Sequence, residues 1–263
     1  MPDPVSAPTA ILSTHSVEAL PPALRGGAVA IGNFDGVHRG HQALLARTRA
    51  VAGDLGVPSV VLTFEPNPRT FFRPDEPVFR LTQPPARARL LTALGLDGLA
   101  VARFDAALAG LSPGAFIETV LVERLGASAL TVGEDFRFGA RRAGTTADLV
   151  AAGVDFGFTV DVVGPVKDGA GPRFSSSAIR AALAEGDIAA ANHGLGYRWF
   201  VIGTVIAGDR RGRELGFPTA NIRLAADVRL RHGIYGVTVR LAGGTGGCEL
   251  WPASPVRQWR RSP

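Results

Sequence analysis

Two histidines at the start of a predicted helix are the residues of this chain best placed for phosphate chemistry. His38 and His41 follow an apolar, strand-like stretch and a glycine-rich turn, and a helical period of apolar residues begins after them. Spaced three apart in a first helical turn, their side chains point the same way, toward free backbone N–H groups. A lone His-x-x-His pair can also simply cap or pack a helix, so the turn before it decides between a structural and a catalytic role. Its candidate phosphate-binding residues are Gly32, Asn33, Phe34, Asp35 and Gly40.

A second run of residues places three hydroxyl groups and an arginine at the start of another predicted helix. Hydroxyl groups, helix N–H groups and an arginine fork form a second anion cradle, which suits phosphate groups. A plain N-cap with an exposed arginine is the structural alternative. The candidate residues are Arg173, Ser176, Ser177 and Arg180.

Predicted strands and helices alternate from residue 28 to residue 185. This order predicts an α/β fold of the Rossmann-like type, with an open, mostly parallel sheet covered on both faces. Loops at the carboxyl ends of such strands form the ligand crevice, and the loop 65–69 follows the predicted strand 58–64. The predicted strands are 10–12 at an edge, 28–31, 58–64, 98–104, 127–132 and 158–163. One predicted helix begins at residue 41, and the others span 84–94, 113–125, 146–152 and 176–185.

The sequence changes character after Asn192. Residues 199–206 and 233–241 are rich in β-branched and aromatic residues, and they predict strands. A second, β-type domain therefore begins near Tyr197. With two or three strands, it is too short to close a stable barrel alone.

Composition limits the partners and the cellular location. The 263 residues carry a net charge of +5, but the arginines are scattered in short pairs without an aromatic platform, so we expect no nucleic-acid partner. The single Cys248 excludes an intramolecular disulfide. No secretory signal and no apolar run of membrane-spanning length is visible, which predicts a cytoplasmic protein without a membrane partner. Composition leaves the oligomeric state open.

The histidine turn and the serine run resemble two signatures of the nucleotidylyltransferase superfamily. Residues 173–180 resemble its Ile-Ser-Ser-Thr-x-x-Arg element, with Ser177 where threonine is usual. The loops 63–68 and 132–139 narrow the resemblance to bacterial bifunctional riboflavin kinase/FAD synthetase. The resemblance covers residues 28–185 in the family's order and implies transfer of AMP from ATP to FMN, giving FAD and pyrophosphate. The catalytic residues that it implies are His38, His41, Ser176, Ser177 and Arg180.

The same resemblance implies a flavin site in the loops that follow the strands. In one of these positions, Asn67 stands where the family often has histidine. Phe136 and Phe138 also suit a purely structural role, although aromatic rings beside an acidic residue are typical of stacking on a flat ring. A zinc role for the two histidines is disfavoured, since no nearby Cys, His or third carboxylate completes a ligand set. The implied flavin-site residues are Phe64, Pro66, Asn67, Pro68, Asp135 and Phe138.

Residues 203–222 resemble the opening of the family's riboflavin kinase module. In that resemblance, Thr219 and Asn221 belong to a Pro-Thr-Ala-Asn motif that holds Mg²⁺ and ATP phosphates. Hydroxyl and amide oxygens are hard ligands, which suits Mg²⁺. Turn chemistry after Pro218 is the alternative. The module implies riboflavin as a further substrate.

After about Gly244, the chain departs from the kinase pattern. The family's flavin loop, catalytic glutamate and closing helix do not follow, and residues 245–263 show neither strand nor helix periodicity. Codons for residues 246–255 can be chosen so that a one-base displacement encodes Gly-Val-Ala-Asn-Phe-Gly-Arg-Arg-Pro. We therefore expect a frameshift, real or introduced by sequencing, and loss of kinase activity. Partial exposure is expected for Trp199, Phe200, Ile234 and Tyr235.

The sequence thus predicts four segments. They are an FMN adenylyltransferase domain at 1–185, a linker helix at 186–196, the N-terminal part of a riboflavin kinase-like β-barrel at 197–242, and an aberrant tail at 243–263. Two alternatives stay open. One is nucleotidyl transfer to a different phosphorylated acceptor, and the other is a non-catalytic protein that binds flavin or nucleotide.

Overall fold

Six parallel strands form the central sheet of the protein. The computed structural model describes residues 12–14, 20–207 and 221–240. The strands are β1 (Leu12–Thr14), β2 (Ala28–Ile31), β3 (Ser59–Glu65), β4 (Gly98–Arg103), β5 (Ala129–Gly133) and β6 (Thr159–Val163). They pair in the order β1-β4-β3-β2-β5-β6. The chain reverses its direction of travel across the sheet between β2 and β5, and open α/β sheets bind ligands at such a switch point.

Eight α-helices connect and follow the strands in the described residues. They are α1 (Arg39–Leu55), α2 (Pro68–Phe72), α3 (Pro84–Ala93), α4 (Ala106–Gly110), α5 (Pro113–Phe116), α6 (Thr146–Phe156), α7 (Ser176–Glu185) and α8 (Ile188–Leu195). A π-helical segment, Ile117–Arg124, continues α5, and single 3₁₀ turns lie at Pro22–Leu24 and Ala140–Arg142. Within the described part of the chain, no helix is both long and apolar enough to cross a membrane.

Two apolar cores cover the two faces of the sheet. Ala30 of β2 belongs to the first core, while Val29 and Ile31 belong to the second, because successive side chains of a strand point to opposite faces. The first core packs the sheet against α1, α3, α7 and α8, and the second packs it against α5 and the π-helical segment. Burial on both faces explains why these strands are almost continuously apolar in sequence.

The predicted elements of the first 196 residues agree closely with the structure. Both β2 and α7 have their predicted bounds, and a left-handed Gly186 ends α7. Helix α6 continues to Phe156 instead of ending at 152, and the predicted helix 113–125 is partly π-helical. The predicted linker helix is α8, and its Ala191 and Leu195 are buried in the first core.

The predicted strands of the second region are mostly not formed. Among residues 197–207 and 221–240, only β7 (Val205–Ile206) and β8 (Asn221–Ile222) pair, and they pair in antiparallel fashion. The strand prediction for 199–206 is therefore wrong before Val205, and the prediction for 233–241 is wrong through residue 240, the last described one. A strand forms only where a neighbour accepts its hydrogen bonds, and Trp199 and Phe200 instead pack against the first core.

Candidate active site

The turn between β2 and α1, residues 32–38, leads into the histidine pair at the switch point of the sheet. His38 is the N-cap of α1, and its Nδ1 accepts a hydrogen bond of 3.4 Å from the backbone N–H of His41. The two imidazole rings stack with their centroids 3.7 Å apart. The ring of the buried Phe34 lies 5.2 Å from that of His41, so both histidines have fixed positions at the helix entrance.

Burial keeps both histidines neutral near pH 7. It lowers the pKa of His38 from 6.5 to about 4, although the carboxylate of Asp35 opposes this shift and Arg180 adds to it. Burial, His38 and Arg180 all lower the pKa of His41. Because Nδ1 of a neutral His38 is an acceptor, its proton lies on Nε2, which can donate to a phosphate oxygen. The Nδ1 atom of His41 is buried without a hydrogen-bond partner in the described residues.

Asp35 holds this turn in place through hydrogen bonds to the rest of the fold. Its carboxylate accepts hydrogen bonds from the N–H groups of Leu81 and Thr82, at 3.2 and 3.0 Å, and from the Thr82 hydroxyl. It also pairs with the Arg180 guanidinium at 2.6 Å. The carboxylate of Asp35 is thus engaged by protein donors, and its predicted ligand contact stays a prediction.

The N-termini of α1 and α7, the two helix starts with candidate phosphate-binding residues, meet beside the turn. Ser176 donates a hydrogen bond of 2.8 Å to the Asp35 carbonyl, while the Ser177 side chain is exposed to solvent. A Cβ on Gly40 would lie 3.1 Å from Cε1 of His38 and 3.7 Å from the Phe174 carbonyl. Glycine therefore permits this close approach. The N-cap of α7 is Ser175, and Nε of Arg180 donates to the Phe79 carbonyl at 2.7 Å.

A shallow cleft lies beside the turn at the carboxyl end of β3. Glu65 forms ion pairs of 2.8 Å with both Arg80 and Arg87, and the Arg87 side chain is almost fully buried. The sequence analysis did not single out these three charges, although Glu65 stands within the loop that carried the resemblance. The cleft is lined by Asn33, Asp35, Phe64, Glu65, Asn67, Val78, Arg80, Thr82 and Arg87.

The residues predicted to bind flavin are spread over three loops. Phe64 and Asn67 line the cleft, and Asn67 also caps α2 by accepting from the Arg69 N–H at 2.9 Å. Pro66 is exposed and Pro68 is the first residue of α2.

The loop after β5 divides its predicted residues between solvent and core. Asp135 pairs with Arg173 at 3.1 Å on the surface, which joins this loop to the segment before α7. Phe138 is only 6% exposed and packs in the second core against Phe116. Its position agrees with the purely structural role that was the alternative to flavin binding. The more accessible Phe136 stacks on Phe138 with centroids 5.7 Å apart, and it is the ring of the two that a ligand can reach.

The predicted Mg²⁺ ligands belong to the second region. Asn221 is exposed in β8, and its amide oxygen is of the type that suits Mg²⁺, while Thr219 lies outside the described residues. Among residues 20–207 and 221–240, no three His, Cys, Asp or Glu side chains are grouped as a metal site. The ligand set stays a prediction.

The parallel sheet, the histidine pair at its switch point and the two converging helix N-termini together define a nucleotidylyltransferase-like protein. Sequence models of two families match the chain: FAD synthetase over residues 20–178 and riboflavin kinase over residues 195–259. A bifunctional riboflavin kinase/FMN adenylyltransferase of Pseudomonas fluorescens is 42% identical over 89% of this chain and 73% of its own length. The chain belongs to the family of bifunctional riboflavin kinase/FMN adenylyltransferases.

Further relatives agree with this assignment. The bifunctional riboflavin kinase/FMN adenylyltransferase of Escherichia coli K12 is 40% identical over 87% of this chain and 72% of its own length. A solved structure from Streptococcus pneumoniae, described as a macrolide-efflux protein, superposes with a TM-score of 0.69 at 30% identity, over 81% of this chain and 68% of its own. The riboflavin kinase match extends into residues 243–263, the predicted tail, which lies outside the described residues. The four segment boundaries and the frameshift stay predictions.

Proposed function

We propose that this chain transfers AMP from ATP to the phosphate of FMN, giving FAD and pyrophosphate. The observation that carries the proposal is the meeting of two helix N-termini beside a neutral histidine pair, with an open cleft next to them. Helix N-termini have N–H groups without intrahelical acceptors, and they favour anions. Both family matches support FMN and ATP as the substrates.

In the proposed reaction, an FMN phosphate oxygen attacks the α-phosphorus of ATP in line, and the bond to the β-phosphate oxygen breaks as pyrophosphate leaves. His38 and His41, with the N-terminus of α1, donate hydrogen bonds to the charge that develops on the α-phosphate. No proton has to move, because the attacking phosphate is already an anion. The reaction therefore depends on positioning and on fixed donors.

The N-terminus of α7 is proposed to receive the leaving pyrophosphate. Ser177, whose side chain is exposed at the second position of the helix, is free to turn toward it. Ser176 and Arg180 contribute mainly by holding the turn, since the Ser176 hydroxyl and two nitrogens of Arg180 already bind protein acceptors. Arg173 and Asp135 would lie at the entrance.

The flavin ring is proposed to occupy the side of the cleft lined by Phe64 and Asn67, with Phe136 within reach in the neighbouring loop. Mg²⁺ is proposed as the accompanying cation, and it would supply charge neutralisation of the ATP phosphates when bound. Thr219 and Asn221 are its proposed protein ligands in the kinase-like region. We place the activity in the cytoplasm as part of the same proposal.

One assay tests the proposal against both alternatives. The full chain is incubated with ATP and either FMN or riboflavin, and flavins and pyrophosphate are separated by chromatography. We expect FAD and pyrophosphate from FMN, and no FMN from riboflavin, because the sequence predicts that the kinase activity is lost. Binding of FMN and ATP without pyrophosphate would show a non-catalytic binding protein. Pyrophosphate formed only with another phosphorylated acceptor would show a different transferase, and FMN formed from riboflavin would show that the kinase works.

A further inference from the structure

The β2–α1 turn has a backbone that cannot be stable by itself. Phe34, Gly36 and Val37 have φ angles of 46°, 83° and 39°. Residues with a side chain rarely adopt this left-handed conformation, so contacts with the surrounding structure have to hold the turn. Because the turn ends at His38, whatever holds it also sets the position of the histidine pair.

Tyr197 holds the turn directly. Its hydroxyl donates a hydrogen bond of 2.7 Å to the Gly36 carbonyl, at the centre of the left-handed stretch. The side chain is 9% exposed, and burial raises its pKa far above 10, so the phenol stays protonated and remains a donor. Tyr197 lies 161 residues from Gly36 in the sequence.

The segment 79–82 provides a second connection to the turn. On one side, Thr82 Oγ1 accepts a hydrogen bond of 3.0 Å from the Gly36 N–H, and both Leu81 and Thr82 donate to Asp35. A Cβ on Gly36 would lie 2.7 Å from Cδ1 of Leu81, so the turn packs directly on this segment. Any displacement of residues 79–82 therefore moves the turn.

The other side of this segment is held by the C-terminal region. Nε1 of Trp199 donates a hydrogen bond of 2.9 Å to the Leu81 carbonyl, and the Trp199 ring meets the Phe79 ring edge to face at 6.3 Å. The Arg80 N–H donates to the Asp227 carboxylate at 3.1 Å. Segment 79–82 is thus clamped between the turn and residues 199 and 227.

These contacts come from outside the stretch that matches FAD synthetase, which ends at residue 178, and from inside the riboflavin kinase match, which begins at 195. We propose that Tyr197 and Trp199 are positioning residues for adenylyl transfer, so that the kinase-matched part of the chain completes the turn that carries His38. The proposal rests on the proposed function and deepens it. The polar atoms of both side chains are bonded to protein carbonyls, so neither residue is proposed to touch the substrates. Their loss is expected to lower kcat, because small displacements of catalytic groups reduce the rate steeply.

Tyr197→Phe and Tyr235→Phe form a matched pair of variants for the test. Each removes one phenol that donates to a backbone carbonyl, at 2.7 Å for Tyr197 and 2.6 Å for Tyr235. The Tyr235 hydroxyl bonds to Arg231, within the C-terminal region and away from the turn. In the full chain, we expect Tyr197→Phe to lower kcat for FAD formation about 10-fold, with both KM values within about twofold, while Tyr235→Phe stays at the wild-type rate.

A second variant and a second measurement keep the outcome decisive. Trp199→Phe removes the donor to Leu81 but keeps a ring against Phe79, and we expect a decrease of about 3-fold in kcat. It decides the question if Tyr197→Phe does not fold. The pKa of His38, followed by NMR, should rise toward 6.5 in Tyr197→Phe and stay near its wild-type value in Tyr235→Phe.

Equal kcat losses in the two tyrosine variants, or losses confined to KM, would overturn the positioning role. Failure of the proposed function would look different, because the wild-type chain itself would then form no FAD. The NMR comparison still decides the positioning role in that case, since it needs no activity: an unchanged His38 pKa in Tyr197→Phe would count against it.

Discussion

Residues 20–196 and the described part of the C-terminal region, 197–207 with 221–240, bury their apolar side chains to very different extents. In the first region, Leu45 and Leu62 are fully buried between sheet and helices. In the second, Val237 is 67% exposed and Ile234 is fully exposed, beyond the partial exposure predicted from the sequence. Both regions are rich in apolar residues. The difference shows that an apolar run becomes a strand only when neighbouring strands and helices cover it.

The C-terminal region is nevertheless attached to the first along one side. Val228 and Leu230 pack against the first core, and the Arg231 N–H donates to the Leu183 carbonyl at 3.1 Å. Trp199, Phe200 and Tyr235 are half-buried, which agrees with the partial exposure predicted for them. The described contacts of the C-terminal region thus include several with the first region, which contains the candidate active site.

The largest difference between the regions is expected in catalysis. His41→Ala should reduce FAD formation at least 100-fold, because it removes a fixed donor at the α-phosphate. His232→Ala changes an exposed histidine of the C-terminal region and should leave the rate unchanged. Flavin chromatography gives the rates, and circular dichroism checks that both variants fold. An unaffected rate in His41→Ala would refute its catalytic role.

A comparison of two aspartates should show a large difference in stability. Asp35→Ala leaves a mostly buried Arg180 and two backbone N–H groups without their acceptor, so the free energy of unfolding should fall by about 3 to 4 kcal/mol. Asp227→Ala removes the acceptor of only the Arg80 N–H and should cost about 1 kcal/mol. Urea denaturation measures both. Equal losses of unfolding free energy in the two variants would contradict this difference between the regions.

The histidine pair should make the stability of the first region depend on pH. His38 has a pKa of about 4 when folded and 6.5 when unfolded, so the unfolded chain binds more protons between these values. The free energy of unfolding is then highest above pH 6.5 and falls as the pH drops toward 4, by about 2 kcal/mol from this residue between pH 7 and pH 5. His38→Asn keeps an N-cap acceptor and removes the titration. Urea midpoints that fall equally steeply in wild type and variant would contradict this assignment.

Limited proteolysis should distinguish the two regions, because cleavage of the C-terminal region requires the least local unfolding. Trypsin is expected to cleave first at exposed arginines of the C-terminal region, such as Arg223 and Arg229, before it cuts the sheet. Mass spectrometry of the early fragments identifies the sites. A protease-resistant segment from Tyr197 to 241 would instead show that this region folds independently.

The sequence by itself determined the elements whose signals are local. The bounds of β2 and α7 follow from apolar runs, a capping serine and a left-handed Gly186, all within a few residues of one another. The histidine turn and the serine run were predicted to bind phosphate from residue types, a glycine-rich turn and a family resemblance, and the fold brings them together. These features depend on neighbours along the chain, so the sequence pattern was sufficient to predict them.

Only the tertiary structure decided which partners hold the candidate site. The Asp35–Arg180 ion pair joins residues 145 apart, and the Tyr197 hydroxyl reaches Gly36 across 161. The sequence analysis took Asp35 as a ligand contact and did not single out the Tyr197 side chain, because neither partner has a local signal. The same reason explains the missing strands of 233–240: strand formation needs hydrogen-bonding neighbours, and a run of β-forming residues does not specify them.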